Sequence, residues 1–254
     1  MKVSIAACAV ASVAAFVQQP AGSSSALFSA KDELVELAES NPDFLGKKIG
    51  FYDPLGLADA DFYGLGNDGW IGFLRHSEIK HGRVAMAGFL GFCAQCTPLV
   101  SGPHKILPYS GYVPGCTPQE QWDNIPLYGK LQIFVLIGML ESYGEGAGSP
   151  EGYVHYTKGG KPGYYPPIKG NAFGQIQFDL FDPLGWFPKN KTPEQLARGT
   201  KAEINNGRLA MIGLLGLLSE SATPGSVPLL SGFASFPKYT GNVMIPFETD
   251  FTLF

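Results

Sequence analysis

The stretch Glu78-Ile-Lys-His81-Gly82-Arg83-Val-Ala85-Met86-Ala-Gly88-Phe-Leu-Gly91 occurs twice. Its second copy reads Glu203-Ile-Asn-Asn206-Gly207-Arg208-Leu-Ala210-Met211-Ile-Gly213-Leu-Leu-Gly216. Every match lies 125 positions after its partner (78 and 203, 83 and 208). A second match precedes each copy: Asp53-Pro-Leu-Gly56 and Asp182-Pro-Leu-Gly185. The chain is therefore read as an internal duplication with other sequence inserted between its halves.

Each copy sits in a long apolar segment. The first runs from about Gly69 to Thr97, with Asp68 as its cap and Pro98 as its stop. The third begins at Thr192-Pro193-Glu194-Gln195, a capping box with proline at the first helical position, and ends before Pro224-Gly225. Between them, Leu127 to Tyr143 is bounded by Pro126 and the Gly144-Glu-Gly-Ala-Gly-Ser-Pro150 breaker. The outer two are roughly 30 residues, about 45 Å as helix, against a hydrocarbon core of about 30 Å. The expected fold class is an all-α membrane protein with three transmembrane helices. The first and third are long, crossed and related by a pseudo-twofold axis.

Composition agrees. Of 254 residues only 16% are charged, against roughly 25% in soluble domains, and the net charge of −4 gives no basic surplus for nucleic acid. Arg75, Lys80, Lys189, Lys191, Arg198 and Lys201 lie in or before the first and third segments, whereas the 98–126 connection has Lys105 alone. The positive-inside tendency then makes the outer helices parallel. Residues 1–29 read as a leader: a basic start, a short apolar run and a Ser- and Ala-rich stretch. Residues 30–68 are expected as an N-terminal loop, 69–222 as the three-helix domain and 223–254 as a C-terminal tail.

The chemistry lies in the duplicated charges. An ionised side chain at mid-membrane costs on the order of 2.5–3.5 kcal/mol, so such residues pair. Glu78 and Arg83, five apart, are about 140° around one helix and pair poorly. Reciprocal pairing between the copies solves this: Glu78 with Arg208, and Glu203 with Arg83. Gly82, Gly88 and their matches allow close approach. His81 and Asn206, three residues after each Glu, share its face. All four are oxygen or nitrogen donors suited to a magnesium that needs a single axial ligand.

At these residues the chain resembles the chlorophyll-binding light-harvesting family, whose signature Glu-x-x-His/Asn-x-Arg-x-Ala-Met it carries twice. The resemblance implies chlorophyll ligands Glu78, His81, Glu203 and Asn206, with Arg83 and Arg208 as charge partners. It also implies loops at Asp53 and Asp182 that cradle carotenoid ends. Gln132 and Glu141 resemble the family's middle-helix ligands. The family places a Gln fourteen residues after the third-helix Asn; here that position is Glu220, and its match in the first helix is Gln95. Val84 stands where green-plant members carry Trp. With the leader, this resembles the red-lineage chlorophyll a/c proteins that carry fucoxanthin or peridinin. The resemblance implies a non-enzymatic, multi-pass antenna in the plastid thylakoid membrane, holding chlorophyll a, chlorophyll c and carotenoid. Its partners would be neighbouring antenna proteins and a photosystem I or II core.

Two other functions are expected to leave different traces. A photoprotective relative would need titrating acids, for which the 98–126 connection offers Glu120 and Asp123. A thiol redox protein would use Cys93-x-x-Cys96, but that spacing stands without a second CxxC or a βαβ setting. A disulfide from either thiol to Cys116 is the remaining alternative.

Overall fold

The computed structural model describes residues 30–40, 50–103, 109–147, 151–170, 177–186, 191–232, 237–241 and 247. The leader, Lys105 and Lys189 lie outside the described residues. Among those described there are helices and no strand. We number the α-helices α1 (Ala30–Ser40), α2 (Gly66–Gln95), α3 (Pro98–Ser101), α4 (Pro118–Asp123), α5 (Leu127–Gly144), α6 (Pro193–Ala222) and α7 (Pro228–Ser231). The two copies of the repeat lie in α2 and α6, each of 30 residues.

The ends of these helices follow from local chemistry. Thr192 accepts the Gln195 amide at 3.3 Å, and the Gln195 side chain accepts the Thr192 amide at 3.1 Å, closing the capping box read from the sequence. The start of α2 differs from expectation. The Asp61 carboxylate accepts the Leu65 and Gly66 amides at 2.8 and 2.9 Å, so the helix begins before Asp68. Asp68 lies inside the first turn, where its charge faces the positive end of the helix dipole. The stretch 30–68, expected as a loop, contains α1 and a 3-10 turn at Leu57–Asp59. The expected tail likewise contains α7.

Among the described residues, no helix is long and apolar enough to cross a membrane. Segment hydropathy therefore does not support the expected crossings. The cause is visible in the sequence: α2 carries Arg75, Glu78, Lys80 and Arg83, α6 carries Lys201, Glu203 and Arg208, and α5 carries Lys130 and Glu141.

The described residues fall into two compact units: those within 1–76 and 154–162, and those within 77–153 and 163–254. In the first, Trp70 and Ile71 of α2 are buried, and the Trp70 indole donates to the Leu57 carbonyl at 2.6 Å. His76 stacks on Tyr156 at 3.8 Å. Lys31 of α1 pairs with Asp59. In the second unit, Ala85, Phe92, Tyr143, Ile168, Leu217 and Tyr239 are buried. Tyr239 ties the tail down: its amide donates to the Ser221 carbonyl at 2.9 Å and its hydroxyl to Asp123 at 2.7 Å.

Candidate functional site: a crossed-helix centre

The centre of the second unit is the contact between the two copies. A Cβ placed on Gly82 would lie 3.0 Å from the Gly207 Cα, and one on Gly207 would lie 2.9 Å from the Gly82 Cα. The backbones touch there, which only glycine permits at both positions. The next contacts are also reciprocal. Gly88 faces Leu214 and Gly213 faces Phe89, each at about the closest distance a Cβ tolerates (3.0 and 3.1 Å).

Two ion pairs flank this contact. The Arg208 Nε donates to Glu78 Oε1 at 2.6 Å, and the Arg83 Nε donates to Glu203 Oε1 at 2.6 Å. Each Arg thus neutralises the acid of the opposite helix. Arg83 has a further role that its sequence position does not reveal: its Nη1 donates to the Gly163 carbonyl at 2.7 Å. Gly163 sits at φ 75 and packs on Ile79, so the segment after residue 162 is fixed against α2.

His81 is exposed, with its Nδ1 2.8 Å from the Ser77 carbonyl oxygen. A carbonyl only accepts, so Nδ1 carries the proton and the Nε2 lone pair is left for a metal. Asn206 is also exposed. Val84 and Leu209, matching positions of the repeat, are 72% and 69% exposed, and Leu90 and Leu215 are 69% and 61% exposed. Large apolar side chains standing outward at paired positions mark surfaces meant to be covered.

On α5, Gln132 is exposed within an apolar groove of Tyr128, Leu131, Val135, Leu136 and Met139. Glu141, in the last turn of α5, is half-exposed and paired with a cation. Lys80 of α2 donates to its Oε2 at 2.6 Å and to Glu145 Oε1 at 3.0 Å.

Two sequence candidates fall elsewhere. Glu220 is buried, and its carboxylate accepts the Gly225 and Val227 amides, both at 2.8 Å, and the Ser226 hydroxyl at 3.4 Å. It stitches the turn after α6, with both oxygens occupied, and is not presented to a ligand. Its match Gln95 is half-buried at the end of α2.

The two Asp-Pro-Leu-Gly loops fold alike. Gly56 and Gly185 take φ 63 and 67, and each donates its amide to the carbonyl three residues back. The Asp53 carboxylate accepts the Leu57 and Ala58 amides at 3.0 and 2.9 Å, and Asp182 accepts the Trp186 amide at 2.7 Å. The Ala58 bond is the main reason the Asp53 carboxyl lies below its ordinary pKa. Leu55, Leu184 and Trp186 project outward from these loops.

Cys93, Cys96 and Cys116 are free thiols, and the Cys116 thiol donates to the Val113 carbonyl at 3.2 Å rather than forming a disulfide. Glu120 completes the Thr117 capping box of α4, and Asp123 holds the Tyr239 hydroxyl. Both acids thus serve local structure.

Comparison with known proteins gives a family model and several relatives. The sequence model of the family described as chlorophyll A-B binding protein matches residues 36–222. A fucoxanthin-chlorophyll a-c binding protein of Trieres chinensis is 32% identical over 235 residues, covering 91% of this chain and 98% of its own. Fucoxanthin-chlorophyll a-c binding protein E of Macrocystis pyrifera is 32% identical over 171 residues, covering 67% and 68%. Photosystem I chlorophyll a/b-binding protein 3-1 of Arabidopsis thaliana is 28% identical over 194 residues, covering 70% and 64%.

Proposed function

This chain belongs to the chlorophyll A-B binding protein family, and from that premise we propose how its residues divide the work of a light-harvesting antenna. It is a pigment scaffold, not an enzyme. Bound chlorophyll supplies the absorption of light and the transfer of excitation. The protein fixes where each ring sits.

Glu78 and Glu203 would hold chlorophyll magnesium through the oxygen that the arginine does not take. Magnesium favours oxygen donors, and the Arg neutralises a carboxylate that would otherwise be costly in lipid. His81, through Nε2, and Asn206, through its amide oxygen, hold a second pair. Gln132 and Glu141 serve rings on α5, and Gln95 serves one at the end of α2. The outward loops at Asp53 and Asp182 receive carotenoid ends. The observation that carries this reading is the reciprocal pair of 2.6 Å bonds, Glu78–Arg208 and Glu203–Arg83.

The finer pigment set is chlorophyll a with chlorophyll c and a fucoxanthin-type carotenoid, as the names of the Trieres and Macrocystis relatives suggest. The helices α2, α5 and α6 cross the thylakoid membrane of the plastid, with excitation passed to a photosystem core and neighbouring antennae. The apolar outward faces of all three helices support this, as do charges neutralised in pairs that a hydropathy average counts singly.

Refolding the chain with chlorophylls and carotenoid tests the assignment. His81→Leu and Asn206→Leu are each expected to lower the pigment count by about one chlorophyll per chain. Unchanged pigment content in both would remove the ligand assignment.

A further inference from the structure

The repeat is broken at one charged position. Lys80 has Asn205 as its match, so α2 carries a cation that α6 lacks. That cation is not spent on solvent. It reaches across to α5, 2.6 Å from Glu141 Oε2 and 3.0 Å from Glu145 Oε1. The arrangement copies the central pairs in one respect: an acid on one helix is neutralised by a base on another, through one of its two oxygens. It differs in using Lys, a compact point charge with three donors, which can serve two carboxylates at once.

The geometry points to Lys80 as a positioning residue for a third charge-compensated pigment site, at which Glu141 would hold the magnesium. Lys80 holds Glu141 Oε2, so that Oε1 would be the atom to hold the magnesium of a chlorophyll beside α5. Glu145 anchors the Lys80 ammonium from one helical turn further on, so that the cation does not swing to other partners. Half of the Glu141 side chain is exposed (54%), which leaves its surface accessible to a ring. The same contact sets α5 in register with the first copy of the repeat, because the second copy offers no equivalent base.

This inference rests on the chlorophyll-binding reading, and the experiment separates the two. The chain is refolded with chlorophylls and carotenoid, and pigments per chain are counted alongside absorption and circular dichroism in the chlorophyll red band. Lys80→Met is expected to lose about one chlorophyll, with a change in the red band. Lys80→Arg is expected to keep it. In Lys80→Met with Glu141→Gln, the neutral amide needs no cation, so the lost chlorophyll returns. A merely structural lysine would give no such rescue. Should Lys80→Met keep its full pigment count, or the double variant fold without regaining the chlorophyll, the assignment of Lys80 is overturned. His81→Leu is the control. Pigment loss there with none in Lys80→Met defeats this inference alone, and no loss in either defeats the ligand reading as well.

Discussion

The two copies of the repeat share what fixes the crossing and differ in what surrounds it. Glu78 and Glu203, Arg83 and Arg208, Gly82 and Gly207 play interchangeable parts, with equal 2.6 Å ion pairs and equal backbone approach. Around that core the copies diverge: Lys80 against Asn205, His81 against Asn206, Gln95 against Glu220. Arg83 also holds the Gly163 carbonyl, a bond its counterpart does not repeat among the described residues. Duplication therefore preserves the lock between helices and frees neighbouring positions to specialise, one toward α5, another toward the turn after α6.

The largest test of this contrast is removal of one arginine. Arg208→Leu strands the Glu78 carboxylate, at a cost of about 3 kcal/mol, or roughly 100-fold in the folded fraction, if the site lies in lipid. Arg83→Leu is expected to cost about 1.5 kcal/mol more, because a charge-assisted bond to the Gly163 carbonyl goes as well. Thermal unfolding of the pigmented protein checks both. Equal losses would show that the Gly163 bond contributes nothing, and removing Glu203 together with Arg83 should recover much of the loss.

A smaller effect sharpens the shared part. Gly82→Ala and Gly207→Ala each force a methyl against facing backbone and are expected to destabilise by about 1–3 kcal/mol, and by similar amounts. A large disparity in denaturation midpoints would mean that the crossing is not reciprocal. Gly88→Ala and Gly213→Ala should cost less, since Leu214 and Phe89 are side chains that can shift.

The smallest effect concerns the loops. Asp53 is held below its ordinary pKa chiefly by the Ala58 amide, then by Leu57 and by Lys31. Its folded value is the lower one, so its contribution is complete above the ordinary aspartate range. It is lost only as the pH falls through the depressed value. Carboxyl NMR should find Asp53 titrating below free aspartate, and Asp53→Asn should flatten the acid side of the stability profile.

The crossing was legible in the sequence because a charge in an apolar helix needs a partner, and a constant offset names it. The start of α6 was legible because Thr192 and Gln195 act within four residues. The start of α2 was missed because Asp61 caps it through a loop turned by Gly64 and Gly66, and nothing in the apolar period marks that turn. Helix α1 was missed because its short run lies beside a leader and only five of its eleven residues are apolar. Glu220 reads as a ligand by position, but the turn at Pro224-Gly225, with Gly225 at φ 88, brings backbone amides onto both its oxygens. Lys80 lies one residue from His81 and looks like surface charge until α5 is placed beside it.

The glycine contact also acts as a fulcrum. From Gly82 to the end of α2, and from Gly207 to the end of α6, each arm is about 20 Å long, so pivoting by 5° would swing its tip by roughly 2 Å. Anything seated near those tips inherits that swing, whereas anything seated at the pivot barely moves. The two guanidinium clasps lie close to the pivot and have little leverage over it. Stiffness at the far ends must come instead from what grips them there: the Glu220 stitch and the tucked Tyr239 on one arm, and the Thr97–Pro98 stop on the other.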